Sequence, residues 1–110
     1  MLISELKQAA DLAPFLKQHR WVIATFSANW CESCQRLAAV VTRLSPQHSK
    51  LNSISINVDR HPELTRSYAV RSVPTLLLFK QGVIASRLSG LHNEDQLNNW
   101  LSQHITPPNE

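Results

Sequence analysis

Cysteine is scarce in this chain: of 110 residues only Cys31 and Cys34 carry a thiol. With no second pair nearby they fall short of the four ligands of a structural zinc site, unless two chains share one, so no metal is expected. No stretch approaches the ~20 apolar residues of a membrane span, and no membrane association is expected. The opening Met1-Leu2-Ile3-Ser4-Glu5-Leu6-Lys7 has no basic leader followed by a long apolar stretch. The expected location is therefore cytoplasmic, where two cysteines do not serve as a passive staple. Basic residues are scattered from Lys7 to Arg87 rather than gathered in one run, and the formal charge is only +3. That pattern reads as a solvated face and not as a nucleic-acid surface. Internal repeats and low-complexity segments are absent. None of the five histidines flanks Cys31, which argues against a histidine general base.

What is present fits one soluble globular domain, with 43% apolar and 17% charged residues. The domain is placed at residues 1–106, with 107–110 as a frayed tail. Its most informative segment is Trp30-Cys31-Glu32-Ser33-Cys34, preceded by the strand-like Trp21-Val22-Ile23-Ala24-Thr25-Phe26 and followed by a helical stripe of Leu37, Ala38, Val41 and Leu44. Residues i and i+3 of a helix face each other, so the two sulfurs can bond without unwinding the turn. The first cysteine meets unpaired N–H groups and the positive end of the helix dipole, which favour a thiolate. A Cys-x-x-Cys at a strand-to-helix junction reads as a dithiol redox site.

Patterning along the rest of the chain predicts the order β-α-β-α-β-α-β-β-α. An edge strand at Leu2–Leu6 precedes a helix over about Ala9–Gln18 with Pro14 near its first turn. The helix from Cys31 should end before Pro46. Leu51–Val58 alternates with period two. Pro62 opens a short helix carrying Leu64 and Tyr68, and Thr75–Lys80 with Val83–Leu88 forms an antiparallel hairpin about Gln81-Gly82. Asn93 with Gln96 forms a capping box for a helix whose Leu97, Trp100, Leu101 and Ile105 face the core. The predicted fold class is α/β: a central mixed sheet of about five strands with helices on both faces.

These residues resemble the thioredoxin family over nearly the whole chain. Trp30-Cys31-x-x-Cys34 follows a buried strand, and Asn57-Val58-Asp59 closes the next one. Tyr68-x-Val70-Arg71-x-Val73-Pro74-Thr75-Leu76-Leu77-Leu78-Phe79-Lys80-x-Gly82 lies about forty residues beyond the cysteines, and Gly90 precedes the last helix. The resemblance implies a thioredoxin fold, with Cys31 as attacking thiol and Cys34 as resolving thiol. It also implies that Pro74 is a cis-proline exposing the Val73 backbone to an extended client segment, with Trp30 beside the thiolate. Composition alone would not support a cis bond, which occurs at only ~5–6% of X–Pro bonds.

The chain departs from the family pattern at several positions. Glu32-Ser33 stands where Gly-Pro is typical, Gln35 where a lysine is usual, and Ser27 in place of the first tryptophan of Trp-Ala-x-Trp-Cys. Thr25 and Ser55 replace an aspartate and a lysine that lie beneath the family's active site. Losing both charges together is coherent, because a single unpaired buried charge costs several kcal/mol. A threonine hydroxyl is no base near neutral pH, so Cys34 must lose its proton to water or to the departing thiolate, and slower resolution is expected. Glu32 disfavours the Cys31 thiolate and so favours the disulfide, while a more flexible dipeptide acts the other way. Thioredoxins as a family lie near about −270 mV, a reference point for a site expected in the reducing half of the scale.

The expected activity is that of a protein disulfide oxidoreductase acting on disulfide-containing client proteins, with Trp30, Val73 and Pro74 contacting the client and Thr25, Glu32, Ser33 and Ser55 modulating the site. No bound cofactor is needed beyond the Cys31–Cys34 couple itself. An NADPH-dependent thioredoxin reductase, or small thiols, would recharge it, and a monomer is expected. Two rival readings are a non-catalytic binding or chaperone module using the same groove, and a disulfide oxidase or isomerase.

Overall fold

The computed structural model describes residues 4–105. Strand β1 (Ser4–Glu5) is followed by α1 (Leu12–Gln18), β2 (Trp21–Ser27), α2 (Glu32–Leu44), β3 (Leu51–Asn57), α3 (Pro62–Ser67), β4 (Thr75–Lys80), β5 (Val83–Ser89) and α4 (Glu94–His104). The outer part of the expected first strand and the expected frayed tail lie outside the described residues. The sheet order is β1-β3-β2-β4-β5, parallel among β1, β3 and β2 and antiparallel from β2 through β4 to β5. This is the expected five-stranded mixed sheet of the thioredoxin fold. Parallel pairing of β2 with β3 requires a crossover, which α2 supplies, and so brings the start of α2 to the C-terminal end of β2.

Each face of the sheet has its own apolar core. Trp21, Ile23, Leu51, Leu76 and Leu78 meet Leu37, Val41 and Leu44 of α2 and Leu97, Trp100 and Leu101 of α4. Val22, Ala24, Phe26, Ile54, Ile56, Leu77 and Phe79 meet Leu12 and Leu16 of α1, with Leu64 and Tyr68 packed at the edge. β2 and β4 are thus covered on both sides, which is why they read as continuous apolar runs. β3 is less uniform. Ile54 and Ile56 are buried on the α1 side, whereas Ser53 and Ser55 leave hydroxyls on the other.

Boundary differences have local causes. A 3₁₀ turn at Ala9–Asp11 precedes α1, so Pro14 sits in the first turn of the α-helix proper, where its missing N–H costs nothing. α2 stops at Leu44, and Pro46 lies in a 3₁₀ turn over Ser45–Gln47. Both reciprocal bonds of the expected capping box are formed: Gln96 N–H donates to Asn93 Oδ1 at 2.8 Å, and Asn93 N–H donates to Gln96 Oε1 at 2.9 Å.

Candidate active site

Cys31 is the N-cap of α2, in extended backbone conformation (φ −97°, ψ 108°), and its Sγ accepts a hydrogen bond from the Cys34 backbone N–H at 3.1 Å. An N-cap acceptor normally satisfies one of the helix's unpaired amides; here sulfur fills that place. The two cysteines are joined as a disulfide with Cα atoms 5.2 Å apart. Both are buried, in a small cluster with Ala28 flanked by Val58 and Val73. The Val73–Pro74 bond is cis, and Gly90 N–H donates to the Pro74 carbonyl oxygen at 2.8 Å. Val73, just ahead of β4, and Cys31, at the N-cap of α2, more than forty positions apart in the chain, therefore meet at one end of the sheet.

Trp30 is 71% exposed, so it does not plug the core. Its indole N–H donates to Asp59 Oδ2 at 3.0 Å. Asp59 is held in turn by Asn57, whose Oδ1 accepts from the backbone N–H groups of Asp59 (2.9 Å) and Arg60 (3.2 Å). Asn57 Nδ2 reaches Asn29 Oδ1 at 3.3 Å, tying this turn to the loop that carries Cys31. The role of Asn57 was missed in the sequence, although an asparagine at a strand end is an Asx-turn signal. Asp59 is thus both a turn residue and the anchor of Trp30. Beside the disulfide lies a groove of about 160 Å³ formed by Trp30, Val58, Val70, Val73 and the rim residue Arg71.

The modulating positions separate into two groups. Glu32 Oε1 accepts from Arg36 one turn further along α2 at 2.6 Å, both side chains being exposed. Arg36 was the missed partner, and its i,i+4 spacing from Glu32 was the signal. Its positive charge opposes the repulsion that Glu32 alone would exert on a Cys31 thiolate. Ser33 Oγ lies 3.4 Å from Cys31 Sγ. A disulfide sulfur has no proton, so the hydroxyl is the donor. The same donation to a thiolate favours the charged form. Ser33→Ala should therefore raise the Cys31 pKa, read from the ultraviolet absorbance of the thiolate against pH, and Ser33→Thr should keep it close to the parent value. An unchanged titration in Ser33→Ala would remove Ser33 from the list of modulating residues.

Thr25 and Ser55 face each other in register across β2 and β3 but do not bond to one another. Ser55 Oγ is 3.4 Å from Ser27 Oγ, whereas Thr25, only 2% exposed, has no hydrogen-bond partner for Oγ1. Replacing the charge pair with hydroxyls therefore removes buried charge and leaves one orphaned hydroxyl. Among the described residues no three histidine, cysteine, aspartate or glutamate side chains are grouped so as to hold a metal ion.

The thioredoxin family profile matches residues 5–103. A thioredoxin of Rickettsia bellii is 34% identical over 91 residues, covering 82% of this chain and 87% of the relative. A thioredoxin of Chlamydia caviae is 37% identical over 83 residues, covering 76% and 81% respectively. Among solved structures, a mutant thioredoxin from Halobacterium salinarum superposes with a TM-score of 0.87 at 31% identity, covering 96% of this chain and 95% of that one.

Proposed function

Because this chain belongs to the thioredoxin family and carries its close cysteine pair, it is a thiol–disulfide oxidoreductase, and we propose that it works in the reducing direction on protein disulfides. The observation that carries this reading is the Cys31 sulfur at the N-cap of α2, receiving the Cys34 N–H and the Ser33 hydroxyl. Two donors and the helix dipole all favour negative charge on that atom, which makes it the nucleophile. In the proposed cycle the Cys31 thiolate attacks a client disulfide and one client sulfur leaves. Cys34 then displaces the second client sulfur from Cys31. Two electrons pass to the client, and the Cys31–Cys34 disulfide remains.

An extended client segment fits beside the disulfide, its backbone against Val73 ahead of Pro74 and its side chains against Trp30, in the manner of an added strand. The proposed protein is a cytoplasmic monomer, holds no cofactor, and is recharged by an NADPH-dependent thioredoxin reductase. The test is catalysed insulin reduction with NADPH and thioredoxin reductase, run beside the same assay with dithiothreitol. Activity in both supports the full reading. Activity with dithiothreitol alone would detach the chain from that reductase, and none in either would end the reducing assignment.

A further inference from the structure

Resolution of a mixed disulfide requires Cys34 to lose its proton, and the described residues hold no buried base positioned to take it. Their buried polar side chains are Thr25, Ser45, Asn57, His61 and Thr75. Of these only His61 carries a basic ring nitrogen, and its Nε2 lies 3.1 Å from the Leu6 carbonyl oxygen, next to the β1 edge of the sheet. Glu32, the carboxylate nearest in the chain, is exposed and held by Arg36. What does lie against Cys34 is an open hollow of about 350 Å³, walled by Ser27, Ala28, Asn29, Cys34, Gln35 and Ala38. Ser27 contributes a hydroxyl, and Asn29 and Gln35 contribute carboxamides. The Ser27 hydroxyl, 3.4 Å from that of Ser55, extends the polar lining toward the strand pair beneath the helix. A water needs about 30 Å³ and two or more polar partners, so the hollow has room and partners for several.

We propose that this hollow is the proton outlet of the resolving thiol, where water held by Ser27, Asn29 and Gln35 accepts the proton of Cys34 as its sulfur attacks. The inference rests on the oxidoreductase reading above. In the step itself the Cys34 S–H bond breaks and the proton passes to water and on to solvent. The Cys34 sulfur bonds to Cys31 Sγ while the Cys31–client S–S bond breaks. The electron pair of that bond leaves on the client sulfur, which takes a proton from solvent. The client disulfide is the oxidant, and no other is required. Ser27, Asn29 and Gln35 act through the water and are positioning residues.

The test fills the hollow from its two walls. Ser27→Trp fills it from β2, and Ala38→Leu fills it from the half-exposed side of α2, leaving the strand intact. Each full-length variant is reduced, mixed with a disulfide peptide, and quenched in acid at short times to follow the mixed disulfide. Its formation should match the parent rate, because Cys31 and its donors are untouched. Its decay should slow by about tenfold or more, less than the ~10²-fold typical of a positioned side-chain base because water is a weaker one. Ser27→Ala, which leaves the hollow open but removes one polar partner of the water, should slow the decay by less than either filled variant does. If Ser27→Trp does not fold, Ala38→Leu decides. Decay at the parent rate in the folded filled variants overturns the outlet and assigns the proton to the departing client thiolate. A parent chain that forms no mixed disulfide at all is a separate failure, that of the oxidoreductase reading.

Discussion

Cys31→Ser is expected to bring catalysed disulfide reduction down to the uncatalysed background, and Cys34→Ser to stop the cycle one step later. The two variants differ because the two sulfurs differ in environment. Cys31 Sγ is the acceptor at the N-cap of α2, whereas Cys34 lies within its first turn and supplies the N–H that bonds it. A serine hydroxyl at position 31 remains protonated at neutral pH and cannot displace a thiolate from sulfur. With Cys31 intact and position 34 changed to serine, attack still occurs but nothing displaces the second client sulfur. The protein should then accumulate as a covalent adduct with its clients, visible as a mass shift released by dithiothreitol. A non-catalytic binding module behaves differently: Cys31→Ser would keep its function, and Cys34→Ser would trap nothing. Retained turnover in Cys31→Ser would therefore overturn the assigned nucleophile.

Thr25→Asp should have the second largest effect, accelerating one step while weakening the fold. The side chain at position 25 is almost wholly buried, directly opposite Ser55 in register and without a hydrogen-bond partner for its hydroxyl. A carboxylate there supplies the base that the site lacks, and general-base catalysis is typically worth on the order of 10²-fold, so decay of the mixed disulfide should quicken by up to that factor. It also buries a charge without a partner, at a cost of about 3–5 kcal/mol.

The pH dependence has a definite sign. Burial raises the folded-state pKa of an introduced aspartate above its unfolded value of about 3.9, so between those two pKa values the folded state binds more protons. Stability of the variant relative to the parent should accordingly fall as pH rises through that window, then level off. Ser55→Lys added to Thr25→Asp places a cation opposite the new anion and should recover most of the loss. Denaturant midpoints of the two single variants and the double variant measure that coupling. A loss in the double variant equal to the sum of the two single-variant losses would show that positions 25 and 55 do not interact, and mixed-disulfide decay no faster at any pH would sink the missing-base account.

Much of the site was legible in the chain itself. Cys31 and Cys34 stand at the junction of an apolar strand and an amphipathic helix, and local rules alone place them at a helix start. The capping box at Asn93 and Gln96 was legible for the same reason, since its partners lie within one turn. Pro74 was different: nothing local distinguishes a cis from a trans bond there, and only the likeness of Val73-Pro74-Thr75 and its surroundings to a family pattern pointed to it. Arg36 was in plain view at i,i+4 from Glu32, but its effect on Cys31 depends on a side-chain rotamer that brings it to the carboxylate. The hollow beside Cys34 was not legible, because the space left by small residues depends on how two separate elements approach each other.

By itself, then, the sequence determined the features whose partners lie within a turn or a strand pleat: the order of elements, the burial of β2 and β4, the dithiol spacing and the N-terminal position of Cys31. Hydrogen-bond geometry and hydrophobic period act over those short separations. Only the tertiary structure decided that Trp30 hangs outward on Asp59, that Ser55 bonds toward Ser27 and leaves Thr25 unpartnered, and that Val73 closes one side of the disulfide while a polar hollow opens beside Cys34. Those outcomes turn on contacts between β2, β3, β4 and α2, and whether a donor finds its acceptor there is settled by packing of the whole sheet rather than by neighbours along the chain.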